Sequence, residues 1–556
     1  MKTNLFINAL LVASSLLTSD WVLGQPTQPT AGEKWFASKD KNQDGRLSKL
    51  EAGDLPAFDQ FDSNSNGFIT LAEASRFARR QKRQRNESAS PGKDTDQQVF
   101  PHDPRTIGVK QKLRESIARI AGRQKRPPNI VVILSDDLGY ADLGLYGSKS
   151  IPTPNIDALG QNGVRFSNAY VTAASCSPSR AGLLSGRYQQ RFGFEFNTAG
   201  AAITHRLHRG LDPAALTIAE VFQSAGYATG MFGKWHLGTQ NHLHPQARGF
   251  DEFYGFLAGA HSFFPAKTQE PIHTTIMRGH KPLTEKEYLT DAIARETVQF
   301  IQAKKDQPFF AYVPFNAVHT PIEATKKYQD RFPNETNKKQ RDYNAMTSAM
   351  DDAVGSIVKA IDDSGLTENT VIVFLNDNGG PIYTGVQSNS PLKLGKLFLF
   401  EGGIRVPMVI KWPGVATANS VIEGTTSALD IFPTLCGAAG IELPDSIELD
   451  GTDLAPFIKG NSKKSPHEQL FWSNGPNIAV RKGDWKLVKS HENVWLFNLA
   501  NDVGEKTNLA TSHPGIIQEL EKDYEQWRAK MSNPAWPSKS QRRKIKVDGM
   551  IYELNI

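Results

Sequence analysis

Two apolar runs in this 556-residue chain end in oxygen-bearing side chains: Asp136 and Asp137 follow NIVVILS, and Asp377 and Asn378 follow VIVFLN. Both runs read as buried strands, so all four side chains fall where a strand hands over to a loop, the edge at which open α/β sheets bind ligands. Four hard oxygen donors converging from two strand ends suit calcium or magnesium, whereas the thiolate and multiple-histidine spacing that zinc requires is missing. A lone DD or DN pair is more often a loop cap; the joint position of the two pairs is what points to a metal. The stretch GKWHLG adds Lys234 and His236, alternating residues that share one face of an extended segment. FNAVHTP adds His319 just past another apolar run, and GKLFLFEGG adds Lys396. Each of these alone is as easily structural or solvated. Together with a cation and Arg180 they describe a site for a tetrahedral anion, in which basic side chains neutralise charge and histidines move protons near neutral pH.

The chain has two cysteines, and it places Cys176 in AASCSPSRAGLLSGRY, among serines, a proline and Arg180. A disulfide to Cys436 and a modified nucleophile are both compatible with that placement. Cys436 itself lies in DIFPTLCGAAG, an apolar helical pattern in which a thiol packs as a small hydrophobe.

The elements that must position these residues lie within 129–464. There NIVVILSDD, FFAYVPF, VIVFLNDNGG and VPMVIKWP alternate with helical patterns, which predicts an α/β domain with a large, mostly parallel sheet covered by helices on both faces. Over 465–556, NIAVRKGDWKLVKS and VWLFNLAND alternate polar and apolar positions and predict a smaller antiparallel-sheet subdomain. Residues 1–24 combine Lys2, an apolar stretch from Leu5 to Leu17 and small residues before Gln25, the grammar of a signal peptide, so an exported, periplasmic or extracellular protein is expected. No later apolar run is long enough to span a membrane.

Within 25–75, DKNQDGRLSKLE sets Asp40, Asn42, Asp44, Ser48 and Glu51 at loop positions one, three, five, nine and twelve, with glycine at six. DSNSNGFITLAE repeats the pattern with Asp62, Asn64, Asn66, Thr70 and Glu73. This is the spacing of a small helical EF-hand pair: the glycine permits the sharp turn and the closing glutamate offers two oxygens to calcium. An Asp/Asn/Gly turn accounts for either loop alone, and the tandem repetition favours the ion. Residues 76–128 are basic and Ser/Pro/Gln-rich, a flexible linker apart from a helical pattern around Lys110 to Gly122. The formal net charge of +6 resides largely in this region and in a run from Lys539 to Lys546. Such runs are solvated faces and do not point to nucleic acid, although an anionic polymer outside the cell remains a possible partner.

CSPSRAGLLSGRY resembles the signature of the formylglycine-dependent (type I) sulfatases, arylsulfatase-like members of the alkaline phosphatase superfamily. The resemblance extends over residues 129 to 530, where NIVVILSDDLGYADLG, TPNIDALGQNGVRFSNAY, GKWHLG, GFDEFYGFLAGAH, FLNDNGG, FEGGIRVP and LDIFPTLCGAAGI follow in the family's order. It implies an alkaline phosphatase-like fold and hydrolysis of sulfate esters, with Cys176 converted to formylglycine by a maturation enzyme and therefore unavailable for a disulfide. It further implies that Asp136, Asp137, Asp377 and Asn378, with residue 176, hold a calcium ion, and that Arg180 and Lys234 hold residue 176. His236 would then help expel sulfate, while Lys396 and His319 would contact sulfate and protonate the leaving oxygen. One departure is Leu397, Phe398, Leu399 and Phe400, where the family carries small or hydroxyl residues. Sulfated carbohydrates are the expected substrates. Two other readings stay open: a phosphomonoester, phosphodiester or phosphonate hydrolase of the same superfamily, and a calcium-dependent scaffold with a vestigial site.

Overall fold

The computed structural model describes Arg46–Ser48, Phe68–Thr70, Pro104–Ile120 and residues 126–555 apart from 269, 463, 539–541 and 548. The chain divides into two units, Met1–Asp96 and Gln97–Ile556. In the first, the strands Arg46–Ser48 and Phe68–Thr70 pair antiparallel with Leu47 opposite Ile69. These are positions seven to nine of the two expected calcium loops, so each loop sets its eighth residue against the other's, the register a two-fold repeat requires. The expected ligands Asp40, Asn42, Asp44, Glu51, Asp62, Asn64, Asn66 and Glu73, and the expected signal peptide at 1–24, lie outside the described residues.

The second unit is organised by a ten-stranded sheet. Its strands are β1 (Asn129–Ser135), β2 (Val164–Phe166), β3 (Ala228–Lys234), β4 (Glu252–Phe256), β5 (Met277–Arg278), β6 (Lys281–Pro282), β7 (Phe309–Pro314), β8 (Thr370–Asn376), β9 (Met408–Lys411) and β10 (Ser420–Ile422). Across the sheet they run β10-β2-β9-β8-β1-β7-β3-β4-β5-β6. From β8 to β4 every neighbour is parallel. The sheet as a whole is mixed, because β9 runs antiparallel to both β8 and β2, and the β4-β5-β6 edge is antiparallel as well. A run such as MVI, buried on both faces, looks the same from sequence whichever way it points.

Alternation along β1 builds two cores. Val131 and Ile133 pack with the helices Leu289–Lys304 and Lys338–Asp363 on one face, while Ile130, Val132 and Leu134 pack with Cys176–Ser185 and Ile431–Ala438 on the other. The helical pattern expected around Lys110 to Gly122 overlaps the helix Pro104–Ile120 of the expected linker. This helix is tied to the sheet's outer layer by Lys110 Nζ, 2.5 Å from Glu220 Oε1, and by Arg114 bonds to Gln223 and Ser224.

The C-terminal part is a four-stranded antiparallel sheet spanning Gln469–Asn474, Asn477–Lys482, Trp485–Ser490 and Asn493–Asn498. The helix Pro514–Arg528 covers one face. Leu397–Phe400 pack on the other, among Trp472, Trp495 and Tyr552. The basic stretch near the C-terminus is part of a hairpin, Arg542–Val547 paired with Met550–Asn555, in which lysines alternate with partly buried Ile545. Among the described residues no helix is long and apolar enough to cross a membrane.

Candidate active site

β1, β8, β3 and β7 end at one edge of the sheet, and the residues singled out from sequence follow them in turn: Asp136 and Asp137, Asp377 and Asn378, His236, and His319. Cys176 opens the helix Cys176–Ser185, whose positive end therefore lies at its thiol, and Arg180 sits one turn later on the same face. Asp137 and His236 take positive φ angles of 63° and 61°, an uncommon backbone state for residues with side chains that re-aims them as the chain leaves each strand.

The side chains form one buried network. Lys234 Nζ binds Asp136 Oδ2 at short range. Arg180 Nε lies 2.9 Å from Asp377 Oδ2, its Nη2 stands 3.4 Å from Asp136 Oδ2, and its Nη1 donates to the Lys234 carbonyl at 2.8 Å. Lys396 Nζ reaches Asp137 Oδ1 at 2.7 Å and Cys176 Sγ at 3.1 Å. Asn378 donates to Asp137 Oδ1 at 2.7 Å. Cys176 Sγ is 3.6 Å from Asp136 Oδ1. His319 donates through Nδ1 to the Thr320 carbonyl at 2.6 Å, which leaves Nε2 facing Asp137 Oδ2 at 3.5 Å. His236 is fixed through its backbone, which accepts from Ser177 Oγ at 2.7 Å, and its Nδ1 is buried without a hydrogen-bond partner.

Charge and burial oppose each other here. Burial would raise the Asp136 carboxyl, but Lys234, His319, Arg180 and Lys396 hold it well below the usual range. Asp377 is pushed up to about 6, first by burial and then by the charge of Asp136. Burial pushes the Cys176 thiol up to about 12 against the pull of Lys234 and Lys396, so the unmodified thiol is not a ready nucleophile at neutral pH. His236 falls well below its ordinary value through burial and then Lys234. His319 is lowered by burial against the pull of Asp137.

Three buried acceptors at this edge, Asp137 Oδ2, Asp377 Oδ1 and Asn378 Oδ1, have no hydrogen-bond partner. Buried acceptors are rarely left so, and hard oxygens from two adjoining strand ends match what a divalent cation such as calcium takes. Ligand atoms of Asp136, Asp137, Cys176 and His319 also lie within 4.8 Å of one another. The donor set fits a hard cation.

All ten residues expected here come together. One that sequence reasoning passed over is Asn316, buried two residues past β7 with both side-chain amide atoms unpartnered. It lies in the same FNAVHTP stretch that drew attention to His319. Both cysteines are free and buried, with Cys436 in the core under the sheet. The apolar Leu397–Phe400 stretch has a structural reason: anchored on the C-terminal sheet, it carries Lys396, whose amide bonds the Gly380 carbonyl while that of Leu397 bonds the Ala174 carbonyl. Lys396 is thereby stitched to the loops of Asn378 and Cys176 at once.

Comparison with known proteins gives this arrangement a family. The sulfatase family matches residues 128–441, and the C-terminal domain described as N-sulphoglucosamine sulphohydrolase, C-terminal, matches residues 394–530. The chain belongs to the sulfatase family, and it is a sulfatase hydrolase, acting on sulfate esters. It is 33% identical over 475 residues to a sulfatase of Formosa agariphila, covering 70% of this chain and 85% of that one. It is 32% identical over 456 residues to human arylsulfatase A, covering 71% and 86%. A crystal structure of Ps i-CgsB in complex with k-i-k-neocarrahexaose superposes with a TM-score of 0.71 at 36% identity, covering 75% of this chain and 96% of that one.

Proposed function

We propose that the chain removes sulfate from carbohydrates at this strand-end cluster, with Cys176 matured to formylglycine by a partner enzyme and calcium held by Asp136, Asp137, Asp377 and Asn378. The observation that carries the reading is the trio of unpartnered buried oxygens beside Cys176, whose Sγ lies 3.6 Å from Asp136 Oδ1 and 3.1 Å from Lys396 Nζ. A bound divalent cation would draw charge from the oxygens of the sulfate group. Residue 176, once oxidised and hydrated, would supply a geminal diol, one hydroxyl serving as nucleophile toward sulfur and the other as the means of releasing sulfate.

The remaining roles fall to side chains already described. Lys234 and Arg180 keep Asp136 and Asp377 ionised and fixed in a water-poor setting. Lys396, 3.1 Å from Sγ, neutralises the anion bonded or bound at that position. His236, kept neutral by burial and Lys234, is a base with Nδ1 free to take a proton from residue 176. His319 holds a proton on Nδ1, and an arriving anion raises the basicity of Nε2, which would take up a second proton from solvent and pass it to the leaving alcohol oxygen.

The substrate class is supported by the oligosaccharide named in the Ps i-CgsB complex and by relatives such as the mouse N-acetylgalactosamine-6-sulfatase, 33% identical over 393 residues and covering 67% of this chain and 74% of that one. Export is read from residues 1–24, and the paired loops of the first unit are read as two further calcium sites. Equilibrium dialysis should find that replacing Glu51 and Glu73 by Gln lowers calcium uptake without removing it; unchanged uptake contradicts those sites. For the reaction itself, rates on an aryl sulfate, an aryl phosphate and a sulfated oligosaccharide should be compared for the wild type and Cys176→Ala. Sulfate release from the aryl sulfate and the oligosaccharide, abolished in the variant, is expected. Faster turnover of the phosphate ester, or activity retained without Cys176, would overturn the reading.

A further inference from the structure

Four of the chain's 13 histidines, His205, His244, His273 and His280, line a cavity of about 550 Å³ outside the strand-end cluster. They stack in pairs: His205 on His273 with ring centres 5.6 Å apart, and His244 on His280 with centres 3.9 Å apart. A third pair, His208 with His242, comes from the same stretches of chain.

The cavity adjoins the site. β3 and β4 end side by side, and the amide of His236, just past β3, donates to the carbonyl of Leu257, just past β4, at 3.2 Å. Leu257 lines the cavity, as does Thr239, three residues beyond His236, whose hydroxyl lies 3.3 Å from His205 Nδ1.

Its chemistry suits an anion. No carboxylate lines it. The stretches that supply its histidines, HRLHR at 205–209, TQNHLH at 239–244 and HTTIMRGHK at 273–281, carry no acid; their basic residues Arg206, Arg209, Arg278 and Lys281 lie outside the lining, with Arg278 paired with Glu296 at 2.5 Å and Arg209 standing over the Trp536 ring. Stacked imidazoles resist joint protonation. His244 is pushed down to about 4 by burial and then by His280, and His273 is lowered by burial and then by His205. An anion at the edges of such rings, where the N–H groups point, accepts from them and relieves that repulsion. Thr239 and Asn241 add hydrogen-bonding groups for sugar hydroxyls, and the volume falls within the range of small-ligand sites, roughly 300–1,000 Å³.

We infer that this cavity is a second anion subsite, which takes a sulfate group on the sugar next to the one being desulfated and so favours substrates sulfated on neighbouring residues. The inference rests on the carbohydrate reading of the main site.

The test uses the intact protein and the double variant His273→Ala/His280→Ala, two positions that are half-buried and exposed. Kinetics are measured on an oligosaccharide carrying one sulfate, on the same oligosaccharide with a second sulfate on the adjacent sugar, and on an aryl sulfate as reference. The wild type should show the lower KM for the doubly sulfated sugar. The double variant should lose that preference, its KM for that substrate rising about tenfold at constant kcat, the scale of one hydrogen bond to a charged group. Equal KM values in the wild type, a preference retained in the variant, or parallel losses on all three substrates would overturn the subsite alone. Turnover of the aryl sulfate with neither oligosaccharide cleaved would overturn the carbohydrate reading and the subsite with it.

Discussion

Two clusters of buried charge flank the segment from Lys396 to Arg405, and they are completed differently. At the junction with the C-terminal sheet, Glu401 receives Lys486 Nζ at 2.8 Å, the Tyr170 hydroxyl at 2.6 Å and Arg405 at 3.3 Å. Glu505 meets the same lysine at 2.9 Å and accepts the Glu401 amide at 2.7 Å. Every carboxylate oxygen there faces a cation or a donor, although Glu505 Oε1 does so through its ion pair with Lys486 alone, without a hydrogen bond. At the strand-end edge the charges are as deeply buried, yet Asp137, Asp377 and Asn378 each keep an oxygen with no hydrogen-bond partner. A closed network of this kind holds two parts of a fold in place; an open one leaves coordination to be filled by an ion and an anion.

Asp377→Asn should separate the two most sharply. It removes one of the like charges crowded against Asp136, so sulfate-ester turnover is expected to fall about a hundredfold or more, at or beyond the upper end of what losing a supporting metal-site partner costs. Melting temperature measured without added divalent cation should hold or rise. Wild-type turnover, or a large drop in metal-free melting temperature, would mean that the edge is structural.

Lys486→Met should show the reverse balance. Two buried carboxylates lose their common cation, which is expected to destabilise the fold by about 3–5 kcal/mol in denaturant titration. Turnover per folded molecule should fall only a few-fold, through looser placement of Lys396. A stability change under about 1 kcal/mol would show that the junction is not closed.

A smaller effect sharpens the same contrast. Burial first, and then the charge of Glu401, raise the Glu505 carboxyl to about 7. The folded state therefore keeps a proton that an unfolded glutamate, with a pKa of about 4.3, has released, and the stability this contributes is lost as pH rises from about 5 through 7. Glu505→Gln keeps an acceptor and cannot ionise. It should melt with the parent at pH 5 and a few degrees above it at pH 8. Identical slopes in the two proteins would remove Glu505 from the account.

How far each cluster could be read from sequence follows from where its partners lie. Asp136, Asp137, Asp377 and Asn378 were legible because each pair sits immediately after an apolar run, so local pattern and the geometry of a parallel sheet suffice to bring them to one edge. The junction was not. Tyr170, Glu401, Lys486 and Glu505 share no local pattern, and Lys486 reaches the two glutamates only once the C-terminal sheet docks. The same docking explains Leu397–Phe400, which looked like an intrusion on the site and proves to be the foot that carries Lys396. The direction of β9 was hidden because burial on both faces erases the alternation that would betray it. The paired histidines were missed for a related reason: they come from three stretches spread over residues 205–281 with no common period.

Under the proposed function the open cluster is assembled around a modified residue 176. Tandem mass spectrometry of the peptide spanning Cys176, taken from preparations of graded specific activity, tests it most directly. The aldehyde or its hydrate at 176 should rise in proportion to activity on an aryl sulfate. Full activity in a preparation whose residue 176 is unmodified cysteine would contradict it.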